Sequence, residues 1–330
     1  MIEELNYNDL KIVLEIKSFL AHQDYSEYNQ SIEWNIIRTE KRKYYLFEKN
    51  EKGNIIWTCS LLEKNIDGEN IIYASRGPVL DYNNSELINR FLKSIEIWAR
   101  EHNYKKLIIN PCIEKRQLIN FPNAYKYTIT QKNDYERLLD SCKLAIMDII
   151  YDEEKMLSCL PSKFRQNTRR SYRKNLTSRI SNTIDFQNFY KLYLETAERH
   201  AFRPHAIEYF YDIYNYFKNN LIFIEVWYNN LPLAMSIDII YNNKLIYLYG
   251  VSSSTNRNLL GMYNLQWEAI KFCIKNKIPK YDFGGVFCEE NDVDNKDFGL
   301  YNFKKGYCYK GFIDIVPDIT IDFSGGIIDD

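Results

Sequence analysis

The 330-residue sequence lacks an excess of either charge: 43 Lys and Arg stand against 44 Asp and Glu, a formal net charge of −1. A whole-chain polyanion signature is therefore absent, and any basic surface has to be local. Its seven cysteines (Cys59, Cys112, Cys142, Cys159, Cys273, Cys288, Cys308) are scattered and never spaced C-x-x-C. That pattern argues against a disulfide framework or a zinc site and for reduced thiols. No apolar run is long enough to span a bilayer, and the acidic start MIEELNYNDLKIVLEIKSFL has no cationic leader segment. A cytoplasmic protein with no integral membrane segment is the expectation. What is present in quantity is tyrosine, with 28 residues. Hydrophobic content of 45% and charged content of 26% are those of an ordinary globular protein.

The organisation shows as a repeat. Residues 43–62, KYYLFEKNEKGNIIWTCSLL, read as strand, polar turn and strand, and residues 221–240, LIFIEVWYNNLPLAMSIDII, repeat that grammar with a turn at Asn229-Asn230. Each copy continues into a further strand (71–80 and 244–253) and an amphipathic helix (85–103 and 263–277). In the first helix Leu87, Phe91, Ile95 and Trp98 fall at helical spacing. Each helix leads to another strand, starting at 104 and at 278, which is 174 residues later. Two copies of one α/β unit follow, with domains expected at 1–150 and 151–312. The end, IDIVPDITIDF, alternates like an added strand with no core of its own, so 313–330 is expected to return to the first domain.

Strand-turn-strand-strand-helix-strand is the order of N-acetyltransferase-like (GNAT-like) folds. The expected fold class is α/β: two tandem GNAT-like domains with mixed sheets and flanking helices. Enzymes of that fold that use acyl-CoA open the helix with a Q/R-x-x-G-x-G/A loop whose backbone amides cradle the pyrophosphate. Here the first half offers DYNNSE and the second Arg257-Asn258-Leu259-Leu260-Gly261-Met262, with glycine at the wrong offset. Acetyl-CoA is not the expected donor, and no cofactor is expected.

Two stretches carry candidate chemistry. Residues 161–179, PSKFRQNTRRSYRKNLTSR, hold seven basic residues and no acidic one. On a helix Arg165, Arg169, Arg170 and Arg173 would share a face, a ridge suited to phosphates. Unrelieved like charge is costly for a helix that only faces solvent. Residues 281–307, YDFGGVFCEENDVDNKDFGLYNFKKGY, break a strand at Gly284-Gly285 and return through an acidic loop to Phe303-Lys304-Lys305-Gly306. From spacing alone the two lysines are a solvated pair and Phe303 is ordinary core. His200 and His205 lack a matching cysteine or carboxylate cluster and read as structural; no metal is expected.

The landmarks Gln30-Ser31-Ile32-Glu33-Trp34 with Arg38, Arg76-Gly77-Pro78-Val79 with Asp81, Phe164-Arg165 with Arg169-Arg170, Tyr249-Gly250-Val251-Ser252, Tyr281-Asp282-Phe283-Gly284-Gly285 and Gly299-Leu300-Tyr301-Asn302-Phe303-Lys304 run in order over nearly the whole chain. In this it resembles the Fem family of aminoacyl-tRNA-dependent peptidyltransferases of peptidoglycan bridge formation. The resemblance implies aminolysis of an aminoacyl-tRNA ester by the side-chain amine of a UDP-linked muramoyl pentapeptide. It implies Lys304 as oxyanion stabiliser on a loop swung back over the substrate, with Phe303 fixing its direction. Arg38, Arg76, Arg203, Tyr209, Tyr249, Gly284 and Gly285 would contact substrate, and Lys163, Arg165, Arg169, Arg170, Arg173 and Lys174 the tRNA. The ridge would equally suit a UDP diphosphate. Relatives often carry Asp before the proline where this chain has Asn110-Pro111, and an amide cannot serve as general base. The acceptor of the amine's proton stays unassigned. Between Asn175 and Leu221 there is no room for the coiled-coil arm of many relatives, which implies the arm-less type, acting as a monomer on a soluble acceptor. DNA is not an expected partner. A small amine metabolite as acceptor, or a non-catalytic module that binds RNA or protein, are the competing expectations.

Overall fold

The computed structural model describes residues 1–121, 127–131 and 139–324. They form two compact units, Met1–Cys142 with Asp314–Asp330, and Lys143–Ile313. Both are mixed α/β sheets flanked by helices.

The first unit contains β1 (Ile2–Glu4), α1 (Leu10–Ala21), α2 (Ile32–Ile37), β2 (Lys43–Lys49), β3 (Ile55–Ile66), β4 (Glu69–Ser75), α3 (Ser85–Glu101), β5 (Lys106–Asn110) and β6 (Tyr127–Ile129). Alternation along β2 sets the layering. Leu46 joins the core under α3, with Trp57, Phe91, Ile95 and Leu107. Tyr45 and Phe47 point to the other side and join Ile16, Leu20 and Ile32. Asn84 caps α3 by accepting from the Leu87 amide. The strand expected over 71–80 ends at Ser75, because Arg76 takes a positive φ of 55° and turns the chain out of the sheet. β4 and β5 pair in parallel as far as Ser75 and Asn110.

The second unit runs β7 (Lys143–Asp148), α4 (Glu153–Cys159), α5 (Ser162–Ser171), β8 (Leu176–Ser181), α6 (Phe186–His200), α7 (Ile207–Phe217), β9 (Leu221–Tyr228), β10 (Leu231–Tyr241), β11 (Lys244–Ser252), α8 (Gly261–Asn276), β12 (Lys280–Gly285) and α9 (Phe298–Tyr307), and ends at the first residue of the two-residue β13 (Ile313–Asp314). Its sheet order is β13-β7-β12-β11-β10-β9-β8. Residues 143–150 were expected in the first domain. They lie in the second unit because β7 pairs antiparallel with β12, Tyr281 opposite Met147. The last strand of the described residues, β14 (Ile319–Asp322), pairs antiparallel with β5, Ile319 opposite Ile109. Between Asn175 and Leu221 the chain forms only β8, α6 and α7, and there is no coiled-coil arm among the described residues. No helix of the described residues is long and apolar enough to cross a membrane.

Candidate functional site

The two copies differ where the parallel strands end. In the first unit the gap beyond β4 and β5 is filled from within. Arg76 is buried and donates to Asn110 Oδ1 (2.6 Å) and to the Ser141 carbonyl (2.8 Å), with Asp140 at 3.9 Å. Burial opposes its charge, but Asp140 and other neighbours outweigh that and push its pKa up. The residue before Pro111 is thus an amide that accepts from an internal arginine. Arg38 ends α2 and pairs with Glu40, which also holds Lys64 at 2.8 Å. Burial opposes the Glu40 charge, yet the two cations bring its pKa down to about 2.

In the second unit the corresponding strands separate. β11 and β12 pair only at Lys244–Lys280, Leu245–Tyr281 and Ile246–Asp282. Beyond that, β12 shifts register against β7, and Gly285 lies opposite Leu144. A bulge at Leu248 sits between Tyr247, opposite Asp238, and Tyr249, opposite Ile237. It sends the two tyrosines to different faces. Tyr247 joins Tyr281 and Phe283, while Tyr249 joins Phe210, Tyr209 and Tyr193.

Lys304 lies where the strands part. It was expected on a loop; residues 298–307 are instead the helix α9, held by its buried face of Tyr301, Lys304, Gly306 and Tyr307. Only 7% of Lys304 is exposed, and its Nζ donates to the Gly285 carbonyl at 2.6 Å. One of three ammonium hydrogens is thereby used. Burial pulls its pKa down to about 8, although Asp282 opposes the fall. Gly284 has φ of +79°, its amide donates to Asp282 Oδ1 (2.7 Å), and Lys244 stands 3.7 Å from the same carboxylate. A Cβ on Gly284 would come within 3.9 Å of Nζ and would be strained at that φ. Phe303 is half-buried against Phe283 and Tyr307, with centroids 6.4 and 5.2 Å away. Lys305 points outward, pairs with Glu290 and lies 5.8 Å from the Tyr301 ring. One lysine of the pair is thus interior and the other a surface group.

Phe303, Lys304, Gly284 and Gly285 are therefore brought together. A second group lies on the α6–α7 side: the Tyr249 hydroxyl donates to that of Tyr209 (3.0 Å), and His205 stacks on Tyr209 at 4.2 Å. Arg203 is exposed in the connection between α6 and α7. Burial, with Arg199 and Arg257, lowers the pKa of His200. No group of potential metal ligands occurs among the described residues.

The basic ridge is narrower than its spacing implies. Lys163, Arg169 and Arg170 are exposed on α5. The helix ends at Ser171, so Arg173 and Lys174 belong to the turn that follows. Arg165 is turned inward and donates to the carbonyls of Leu160 (2.5 Å) and Ser158 (3.2 Å), satisfying the end of α4. Sequence reasoning missed two features. One is the packing role of Phe164, a landmark in the sequence, whose ring fills the space a side chain on Gly306 would need. The other is Asp238, fully buried in β10, which accepts from Ser236 (2.5 Å) and Tyr281 (3.3 Å). A lone aromatic in a basic helix and a lone carboxylate in an apolar strand were the available signals.

The FemAB family model matches residues 12–226 and 223–314. A UDP-N-acetylmuramoylpentapeptide-lysine N(6)-alanyltransferase of Weissella viridescens is 24% identical over 331 residues, covering 95% of this chain and 96% of that protein. The crystal structure of FemX superposes with a TM-score of 0.81 at 18% identity, covering 96% of each chain. A tandem GNAT protein from the clavulanic acid biosynthesis pathway superposes with a TM-score of 0.56 at 10% identity, covering 99% of each.

Proposed function

The chain belongs to the FemAB family, and from that premise we propose that it is an aminoacyltransferase of peptidoglycan bridge synthesis. The donor is an aminoacyl-tRNA, and the acceptor is the side-chain amine of a UDP-linked muramoyl pentapeptide. The full-length relative from Weissella viridescens, named for alanyl transfer to such a lysine, supports the acceptor class. The observation that carries the chemistry is the buried Lys304 ammonium aimed at Gly285 where β11 and β12 part.

The amine attacks the ester carbonyl, a C–N bond forms, and the C–O bond to the tRNA hydroxyl breaks. An aminoacyl ester is already activated, so alignment and charge stabilisation suffice. Negative charge collects on the carbonyl oxygen, and the two remaining Lys304 hydrogens suit it. Gly284 leaves the approach to Nζ open, and Phe303 fixes the lysine's surroundings. Arg203 and the Tyr209–Tyr249 pair are the proposed acceptor contacts in this unit, and the exposed bases of α5 the tRNA contacts. Incubation with a mixture of charged tRNAs and UDP-linked pentapeptide, followed by mass analysis, tests the reading. An acceptor heavier by one aminoacyl residue supports it; an unmodified acceptor with every charged tRNA refutes it.

A further inference from the structure

The α5 ridge borders a surface cavity of about 420 Å³ whose aromatic and acidic lining none of the roles above uses. Its lining includes Arg169 and Arg173, the aromatic rings of Tyr172 and Trp267, and Glu153 and Glu154 from the first turn of α4. Both arginines are exposed and share the cavity with the carboxylates of Glu153 and Glu154. Tyr172 is 45% exposed; its hydroxyl donates to Glu268 (2.5 Å), and Lys271 lies 5.0 Å from its ring centroid. Thr168 also lines the cavity, is 2% exposed, and its hydroxyl has no hydrogen-bond partner.

We propose that this cavity holds one unpaired nucleotide of the RNA donor. The inference rests on the aminoacyl-tRNA reading and locates part of that substrate. A nucleotide presents the three chemistries found here: a phosphate for forked arginine contacts, a flat ring for an aromatic wall, and edge amines for carboxylate acceptors. The volume falls within the range of pockets that take a small ligand. Glu153 and Glu154 repel phosphate, so the base enters toward α4 and the phosphate stays at Arg169 and Arg173. A base with an exocyclic amine (cytosine, adenine or guanine) can donate it to those carboxylates, and uracil has no such amine. RNA is favoured over a free nucleoside diphosphate by charge count. Lys163, Arg170 and Lys174 continue the basic surface past the cavity, beyond what two phosphates require.

The test measures equilibrium binding of two synthetic RNAs, a blunt hairpin and the same hairpin with a single-stranded 3′ extension, with UDP as a third probe. Tyr172→Ala should weaken the extended RNA about five- to a hundredfold, the range for a lost base stack, and spare the blunt hairpin. Tyr172→Phe keeps the ring and should retain the binding that Tyr172→Ala loses. A cytosine or adenine extension should bind more tightly than uracil, and Glu153→Gln with Glu154→Gln should narrow that gap. Equal effects of Tyr172→Ala on both RNAs, no effect on either, or Tyr172-dependent binding of UDP would each overturn the assignment. Tyr172-dependent binding without aminoacyl transfer by the wild type would instead leave the cavity standing and sink the proposed function.

Discussion

The ring of Phe164, on the basic helix α5, lies against Gly306, two residues beyond Lys304 on α9; a Cβ there would overlap the ring. The same ring meets Tyr307 and Tyr263 edge-on at 5.1 and 5.4 Å. The helix proposed to meet RNA is thus packed on the helix that carries the ammonium.

Gly306→Ala should therefore force the two helices apart. Overpacking of a filled site costs roughly 1–3 kcal/mol, and chemical denaturation should show that loss. Transfer should fall with it, while Gly299→Ala, in the same helix but where added atoms meet nothing, should hold or slightly raise the denaturation midpoint, because alanine is the better helix former.

The arginines of the ridge should divide by what they touch. Arg169→Glu with Arg173→Glu should weaken tRNA binding and lower the log–log salt slope by roughly 0.7 to 0.9 for each phosphate no longer neutralised. Arg165→Ala should leave that slope alone and reduce stability, because the carbonyls of Ser158 and Leu160 lose their donor. Binding titrations at several salt concentrations, beside melting curves, separate the two outcomes. A fall in acceptor affinity alone for the double variant would assign the ridge to the other substrate.

Asp238 provides a pH signature in the sheet. Burial pushes its pKa up to about 7, against hydrogen bonds from Ser236 and Tyr281 that favour its charge. Between about 4 and 7 the folded chain holds a proton that the unfolded chain releases, so this residue's contribution falls as pH rises through that window. Asp238→Asn should be more stable than wild type at pH 8, and its advantage should shrink toward pH 4. Unfolding midpoints that differ by the same amount at both pH values would contradict this.

Much of the fold was legible because its signals are local. The hairpins, the α3 and α8 helices and the 174-residue repeat follow from period and turn chemistry, and β14 from its alternation. The features that were not legible depend on tertiary partners. The run GLYNFKKGY contains two glycines and several aromatics, poor intrinsic helix formers, and becomes α9 through its buried face. Arg165 and Arg76 look like surface ligands in sequence, yet both are bound to carbonyls or amides of their own unit. Lys304 and Lys305 are indistinguishable by composition, and only the helix places one inside. The bulge at Leu248 has no sequence mark, although it decides which tyrosine joins Tyr209.

Lys304 should also mark the alkaline range. Its folded pKa of about 8 lies below the ordinary lysine value of 10.5. Between those values the unfolded chain holds the extra proton, so the lysine's contribution to stability rises with pH across that window. The stability of wild type relative to Lys304→Met should accordingly climb between pH 8 and 10. A constant difference would show that the ammonium is not desolvated.

The central claim, that the Lys304 ammonium stabilises charge formed only during transfer, is tested most directly by single-turnover kinetics with charged tRNA and UDP-linked pentapeptide. Lys304→Ala should lower the rate roughly 10²–10³-fold while both substrates bind nearly as before. Lys304→Arg should recover little, because a planar fork does not replace a point charge. Lys305→Ala should stay near wild type, since its ammonium faces solvent and Glu290. The wild-type rate attributable to Lys304 should decline as pH rises through about 8. A Lys304→Ala enzyme that turns over at the wild-type rate, or a loss confined to substrate affinity, would contradict the account.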